Sequence, residues 1–178
     1  MLTGADANGP HKFVQLFFAL VLLLILSGCG VSIPADPDGT LDSVRGGTLR
    51  VGAVPNGEFV EVSGPAGPRG AVGEEQVSGS EVDLVRDFAD ELGARIEFYV
   101  AGEEELVRRF DDGSVHLVIG GLTDETPWES DAGVTRPYAE RILGGQKRKI
   151  VMLVPPGENA FTTELERFLD ASAAGAAR

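Results

Sequence analysis

One thiol, two imidazoles and a large excess of carboxylates make up the reactive inventory of this chain. Cys29 is the only cysteine, so no intramolecular disulfide can form. His116 has only His11 for company, which leaves no imidazole cluster to hold a metal, and a lone histidine beside a strand reads as structural. A Gly-x-Ser-x-Gly nucleophile elbow is absent, as are Gly-x-x-x-x-Gly-Lys-Ser/Thr and a Gly-x-Gly-x-x-Gly joining a first strand to a helix. Glu103, Glu104, Glu105, Asp111 and Asp112 are explained by helix dipole and solvation. Glu125 and Glu129 are the one pair placed to act as acid and base, in a chain where carboxylates are abundant everywhere. The expectation is a protein that is not an enzyme and uses no cofactor and no metal. Binding chemistry is better represented. Gly121 offers a backbone N–H and Thr123 a hydroxyl, while Phe59 and Trp128 offer apolar walls. The alternative for these residues is purely structural: a tight Gly120–Gly121 turn and an aromatic covering a sheet end.

The elements that must position them are legible as periodicities. Val82, Val85, Phe88, Ala89 and Leu92 recur at helical spacing over Glu81–Leu92, with Ser78 or Ser80 available as a cap and Gly93 as a left-handed stop. Arg95–Val100 alternates as a strand near a sheet edge. Glu103 to Arg109 forms a short helix with Leu106, Val107 and Phe110 on its apolar side, and Gly113 ends it. His116–Gly120 is nearly all apolar, as in a strand covered on both faces. With Thr48–Val54 as a first strand, the order is βαβαβ, which predicts a parallel α/β sheet with right-handed crossovers and strand order 2-1-3. In such a sheet the ligand crevice lies beyond the carboxyl ends of the strands, between Pro55–Phe59 and Gly120–Trp128. Pro55–Gly79 lacks a clear element. Its Gly64–Gly73 stretch has glycine every third residue but is too short for a triple helix. Glu58–Val62 and Ala71–Val77 are expected to be the arms of a β-hairpin. Ile150–Val154 is a last strand, and Phe161, Leu165, Phe168 and Leu169 mark a last helix.

Before this core, Phe13–Leu26 is apolar except for Gln15, short for a membrane-spanning helix and suited to a signal-peptide core. Leu26-Ser27-Gly28-Cys29 resembles the lipobox of bacterial lipoproteins, which implies cleavage before Cys29 and lipidation of its thiol; an uncleaved anchor with an incidental cysteine is the alternative. The expected organisation is a signal peptide over 1–28, a flexible Pro/Asp/Gly-rich tether over 29–46, one lobe over 47–170 and a frayed tail over 171–178. The net charge of −13 makes nucleic acid an improbable partner and an anionic bilayer surface likewise.

TLRVGAVP, EVDLVRDFADELGARIEFY, LVRRFDDGSVHLVIGGLT and VTRPYAE, in that order, resemble extracellular solute-binding proteins of the family that serves polar amino acid importers. Asp83-Leu84, the Leu92-Gly93 stop, Asp112-Gly113 before the third strand and Pro137-Tyr138 carry the likeness; His116 departs from it, because an acidic residue is usual there. The resemblance implies a single lobe of a type II periplasmic-binding-protein fold, with a returning strand and a C-terminal helix. Only Ala139–Lys149 stands where the second lobe would be expected, so half of the usual cleft is missing.

Family members that bind α-amino acids clamp the carboxylate with an arginine whose position falls at or beside Trp128. TDETPWESD contains none, and Arg136 and Arg141 are the nearest substitutes. An aromatic there suits an apolar, cationic or sugar-like ligand, or no ligand. The resemblance thus implies a lipid-anchored, extracytoplasmic solute-binding component of an ABC importer. Its partners would be a small solute, a permease or a second copy of the lobe, and a membrane through Cys29. It would sit in the cell envelope, on the outer face of the cytoplasmic membrane or in the periplasm or outer membrane. A sensory or interaction module derived from such a lobe is the second reading.

Overall fold

The computed structural model describes residues 36–176. The expected signal peptide over 1–28, Cys29 and the first residues of the expected tether lie outside the described residues. The chain supplies helix α1 (Thr40–Val44), β1 (Thr48–Ala53), β2 (Glu61–Val62), β3 (Ala71–Val72), β4 (Val77–Ser78), α2 (Ser80–Leu92), β5 (Arg95–Val100), α3 (Glu103–Arg108), β6 (Leu117–Thr123), β7 (Gly133–Val134), β8 (Ala139–Leu143), β9 (Gln146–Val154) and α4 (Asn159–Ala176). The main sheet runs β3-β5-β1-β6-β9-β7, with β8 on β9. β5, β1 and β6 are mutually parallel, so the 2-1-3 order read from the βαβαβ pattern holds. β9 returns antiparallel to β6.

Two apolar layers sandwich this sheet. Leu117 and Ile119 of β6 and Met152 and Val154 of β9 face α2 and α4, where Phe88 packs edge-on to Phe161 with centroids 6.0 Å apart. The alternate residues Val118, Leu122, Val151 and Leu153 meet Leu106, Val107 and Phe110 on the α3 side. α3 approaches β1 so closely that a Cβ on Gly52 would lie 2.9 Å from a Leu106 methyl. The apolar run of β6 therefore reflects burial on both faces.

Four expectations are corrected. Neither Ser78 nor Ser80 caps α2: its N-cap is Gly79, and the free N–H groups of Ser80 and Glu81 donate to the carbonyls of Glu58 (2.9 Å) and Phe59 (3.2 Å). The Pro55–Gly79 hairpin pairs β2 with β4, while Ala71–Val72 crosses to the edge of the main sheet against Phe98 and Tyr99 of β5. The stretch 36–46, expected as tether, is folded: Leu41 and Val44 enter the core. Asp36 Oδ1 accepts from Ala160 and Phe161 N–H at 3.0 Å each at the start of α4, and its Oδ2 accepts from Leu41 N–H at 2.8 Å. Glu158, 1 % exposed, accepts in return from Asp38 and Thr40 N–H at 2.9 Å each. Each acidic residue thus satisfies the open N–H groups at the other's helix. Finally, α4 continues through the expected frayed tail to Ala176.

Where a second lobe was expected, β8 and β9 form a hairpin. Leu143 pairs with Gln146 across a two-residue turn, Gly144 and Gly145, at φ 56° and 79°. Positive φ at both central positions matches the twist of a two-residue hairpin, and glycine adopts it without a Cβ clash.

Candidate functional site

β6 is the strand that shapes the site. Its pairing with β9 slips between Val118 and Leu122, so the Gly120–Gly121 backbone bulges out of register. Gly120 sits at φ 146° and Gly121 at φ 64°. A Cβ on Gly120 would come within 2.6 Å of Val54, and one on Gly121 within 2.5 Å of the Phe59 ring, so only glycine fits at either place.

The bulge turns two N–H groups away from the ladder, and Glu81 of α2 receives both. Its Oε2 accepts from Gly120 at 2.6 Å and from Gly121 at 2.9 Å, and its Oε1 accepts from the Tyr138 hydroxyl. Glu81 is 1 % exposed, and burial pushes its pKa up against the lowering effect of those three hydrogen bonds. Burial and the neighbouring Glu81 carboxylate push the Tyr138 phenol up as well. Asn56 completes the bulge by donating from its side-chain amide to the Gly120 carbonyl at 2.7 Å.

Above this bulge opens a crevice of about 400 Å³ at the carboxyl ends of β1 and β6. Val54, Asn56, Glu103, Gly121, Thr123 and Glu125 are among the residues that line it. Gly121 and Thr123 are thus together at its wall. Phe59 lies behind the wall, 4 % exposed, against the Cα of Gly121. Trp128 lines a neighbouring depression with Glu104, Val107 and Arg108 instead, and its Nε1–H donates to Glu103 Oε2 at 3.0 Å. The indole therefore holds a crevice carboxylate in place rather than forming the crevice wall.

Neither substitute for the missing arginine reaches the crevice lining. Arg136 is committed to α4, with Nε 2.8 Å from Glu166 and Nη2 2.9 Å from Asp170. Arg141 is exposed on β8 and donates to the Glu140 carbonyl. Arg148 of β9 forms an ion pair with Glu125.

A second cavity, of about 440 Å³, lies by the amino end of β6 and is lined by Asp38, Arg50, Asp111 and His116 among others. His116, 4 % exposed, accepts at Nε2 from Arg50 Nη2 at 2.5 Å. Burial first, and then the Arg50 charge, lower its pKa to about 4, so the ring is neutral. Arg50 also donates twice to the Gly113 carbonyl, at 2.6 and 3.2 Å. The structural reading of His116 fits this packing. Among the described residues, no group of three or more His, Cys, Asp or Glu side chains is placed to hold a metal ion.

Glu81 and Asn56 escaped the sequence reading. A glutamate in the first turn of an amphipathic helix looks like an ordinary dipole-favoured surface residue. The available signal was the Gly120–Gly121 pair, whose N–H groups require an acceptor once they leave the ladder.

An open α/β sheet with a crevice at the carboxyl ends of its parallel strands, at the point where crossovers diverge, defines a ligand-binding lobe. Residues 60–175 match the bacterial extracellular solute-binding proteins, family 3, and the chain belongs to that family. A single-residue mutant of the arginine-bound form of domain 1 from TmArgBP is similar at TM-score 0.53 and 19% identity, over 77% of this chain and 98% of that one. The unliganded, open L-cystine solute receptor of Neisseria gonorrhoeae is similar at TM-score 0.58 and 11% identity, over 76% and 92% of the respective chains. At those identities the likeness concerns the fold. Among curated proteins, the membrane-bound lytic murein transglycosylase F of Vibrio vulnificus is 34% identical over 119 residues, which is 66% of this chain and 20% of that protein. Its Vibrio cholerae counterpart is 32% identical over 105 residues. The chain spans about one fifth of the length of these curated relatives. The family is one of exported solute-binding proteins, and the fold matches a single lobe of its amino-acid-binding members.

Proposed function

We propose that this chain is a lipid-anchored, single-lobe solute receptor of the cell envelope, held to the membrane through Cys29 and binding a small molecule in the crevice above the Gly120–Gly121 bulge. The observation that carries this reading is the bulge itself. Two glycines that admit no side chain, a buried carboxylate and the Asn56 amide are all used to keep a crevice of about 400 Å³ open at the sheet's carboxyl edge. Gly121 and Thr123 lie where a solute would touch, and Phe59 and Trp128 support them from behind and beside. The natural partner is then an ABC permease, with a second copy of the lobe as the other way to cover an open half-cleft. Nothing in this mechanism calls for a catalytic group: recognition is by shape and by a few polar contacts.

The test is filling the crevice. A Thr123→Trp variant of the full chain should lose the thermal stabilisation that a small-metabolite library gives the parent, which amounts to ~2.7 kcal/mol at one hundred times the dissociation constant. A hit that stabilises parent and variant equally would place the ligand elsewhere.

A second reading is favoured by the curated relatives, whose name specifies a murein-acting enzyme. In that reading the lobe senses a soluble cell-wall fragment and feeds no importer. Uptake of labelled solute in a strain lacking the gene separates the two. Lost uptake supports the importer, and unchanged uptake with crevice-dependent binding of murein fragments supports the sensor.

A further inference from the structure

The crevice is rich in acceptors and poor in donors. The two N–H groups best placed to meet a carboxylate, those of Gly120 and Gly121, are spent on Glu81. Thr126 N–H is turned to the Thr123 carbonyl at 3.0 Å, and Asp124 N–H to the Lys149 carbonyl at 3.1 Å. One of the two Asn56 amide hydrogens is given to Gly120, and the other is an uncharged donor. No Arg, Lys or His is among the lining residues, whereas Glu103 and Glu125 both are. Trp128 engages only Oε2 of Glu103. Arg148 neutralises Glu125 in part, but from β9 and without itself entering the lining. Behind the wall the Glu81 carboxylate adds a third acidic group.

From this arrangement we propose that the solute is an organic cation that carries an amine or guanidine and no carboxylate. An amine or guanidine placed here donates charge-assisted bonds to Glu103 and Glu125, with the Thr123 hydroxyl oxygen as a neutral acceptor. A carboxylate in the same space meets two glutamates and no charged donor, so it is repelled as well as unpaired. The volume, about 400 Å³, suits a small molecule of a few functional groups. The inference rests on the crevice being the solute site.

Two matched pairs of probes test it on the full chain in detergent, by calorimetric titration: agmatine against arginine, and putrescine against ornithine. The members of each pair differ only in the α-carboxylate. Agmatine or putrescine should bind roughly tenfold or more tightly than its carboxylate-bearing partner, as expected when one charged contact changes sign. Glu103→Gln, which keeps an acceptor for Trp128 Nε1–H, should weaken the amine about tenfold, and Thr123→Trp should abolish it. Arginine or ornithine binding as tightly as its decarboxylated partner, and lost in Thr123→Trp, overturns the cation class while the crevice stands. Amine binding untouched by Thr123→Trp overturns the crevice itself. No binding of any of the four overturns the cation class, and the metabolite library then decides on the crevice alone.

Discussion

Glu81 does at the scale of one residue what the strand ladder does elsewhere: it satisfies backbone N–H groups. An alanine at this position leaves the Gly120 and Gly121 N–H groups without an acceptor in a place that water does not reach. The expected loss is about 2–5 kcal/mol, from leaving two N–H groups and the Tyr138 hydroxyl without their acceptor. Glu81→Gln should cost only about 1–2 kcal/mol. Its amide oxygen takes both N–H groups, and the Tyr138 hydroxyl can turn to accept from the new NH₂. Urea midpoints at constant slope measure both values. An alanine variant within 1 kcal/mol of the parent would mean that the bulge is held by other contacts. His116 makes the second prediction at this scale. Its folded pKa, about 4, lies below the ordinary value of 6.5, so the unfolded chain binds the extra proton between the two. The stability tied to the neutral ring is fully present above pH 6.5, falls as pH drops from 6.5 toward 4, and levels off below that. Carboxylates titrate over the same range, so the readout is the difference between parent and His116→Gln. That difference should shrink by about 2 kcal/mol across the window, solvent near the cavity mouth reducing the full value. A difference independent of pH would show that the ring is not desolvated beside Arg50.

At the scale of elements, patterns that repeat were legible and contacts between distant residues were not. The 3.6 period of Val82, Val85, Phe88 and Leu92 and the two-sided burial of Leu117–Ile119 are carried by neighbours in sequence, and both elements stand where the pattern put them. Asp36 and Glu158 lie far apart in the chain, and nothing local distinguishes them from the solvated acids of a tether and a turn. Their exchange of helix caps is visible only once α1 and α4 are side by side. The same holds for Ala71–Val72, whose partner strand is chosen by the free edge of β5 rather than by the nearer hairpin arm. Thr123 and Gly121 were placed because strand ends are predictable from topology. Trp128 missed the crevice because its indole found an acceptor in Glu103, on a different element. The consequence for α1 is measurable. A lobe that begins at Gly46 loses burial of Leu41 and Val44, about 1.5–3 kcal/mol each, and both reciprocal caps, about 1 kcal/mol each. The entropy of leaving that segment unordered opposes these losses, and the expected outcome is a lower urea midpoint than for a chain beginning at Pro34. Equal urea midpoints for the two chains would show that α1 is dispensable.

At the scale of the whole molecule, the proposed receptor would be held in the envelope through lipid on Cys29. In the described residues no helix is long and apolar enough to cross a membrane. The lipid reading depends on one atom. Replacement of the Cys29 sulfur by oxygen removes the nucleophile that accepts the diacylglycerol, and the lipoprotein peptidase then has no modified residue to cut before. Cys29→Ser should therefore abolish incorporation of a fatty acid analogue and leave the apolar Phe13–Leu26 segment attached. The uncleaved chain is heavier by the leader, which an electrophoretic shift detects, and it still associates with membranes through that segment. Membrane association alone is therefore a poor readout, whereas label and mass together are diagnostic. A single acyl chain gives only marginal membrane binding and stable anchoring takes two hydrophobic signals, so the parent should also partition into the detergent phase after processing. Label retained by Cys29→Ser would mean that another group is acylated. Loss of label with an unchanged mass would mean that Cys29 is the acceptor and that an ordinary signal peptidase removes the leader of the variant, which is then released.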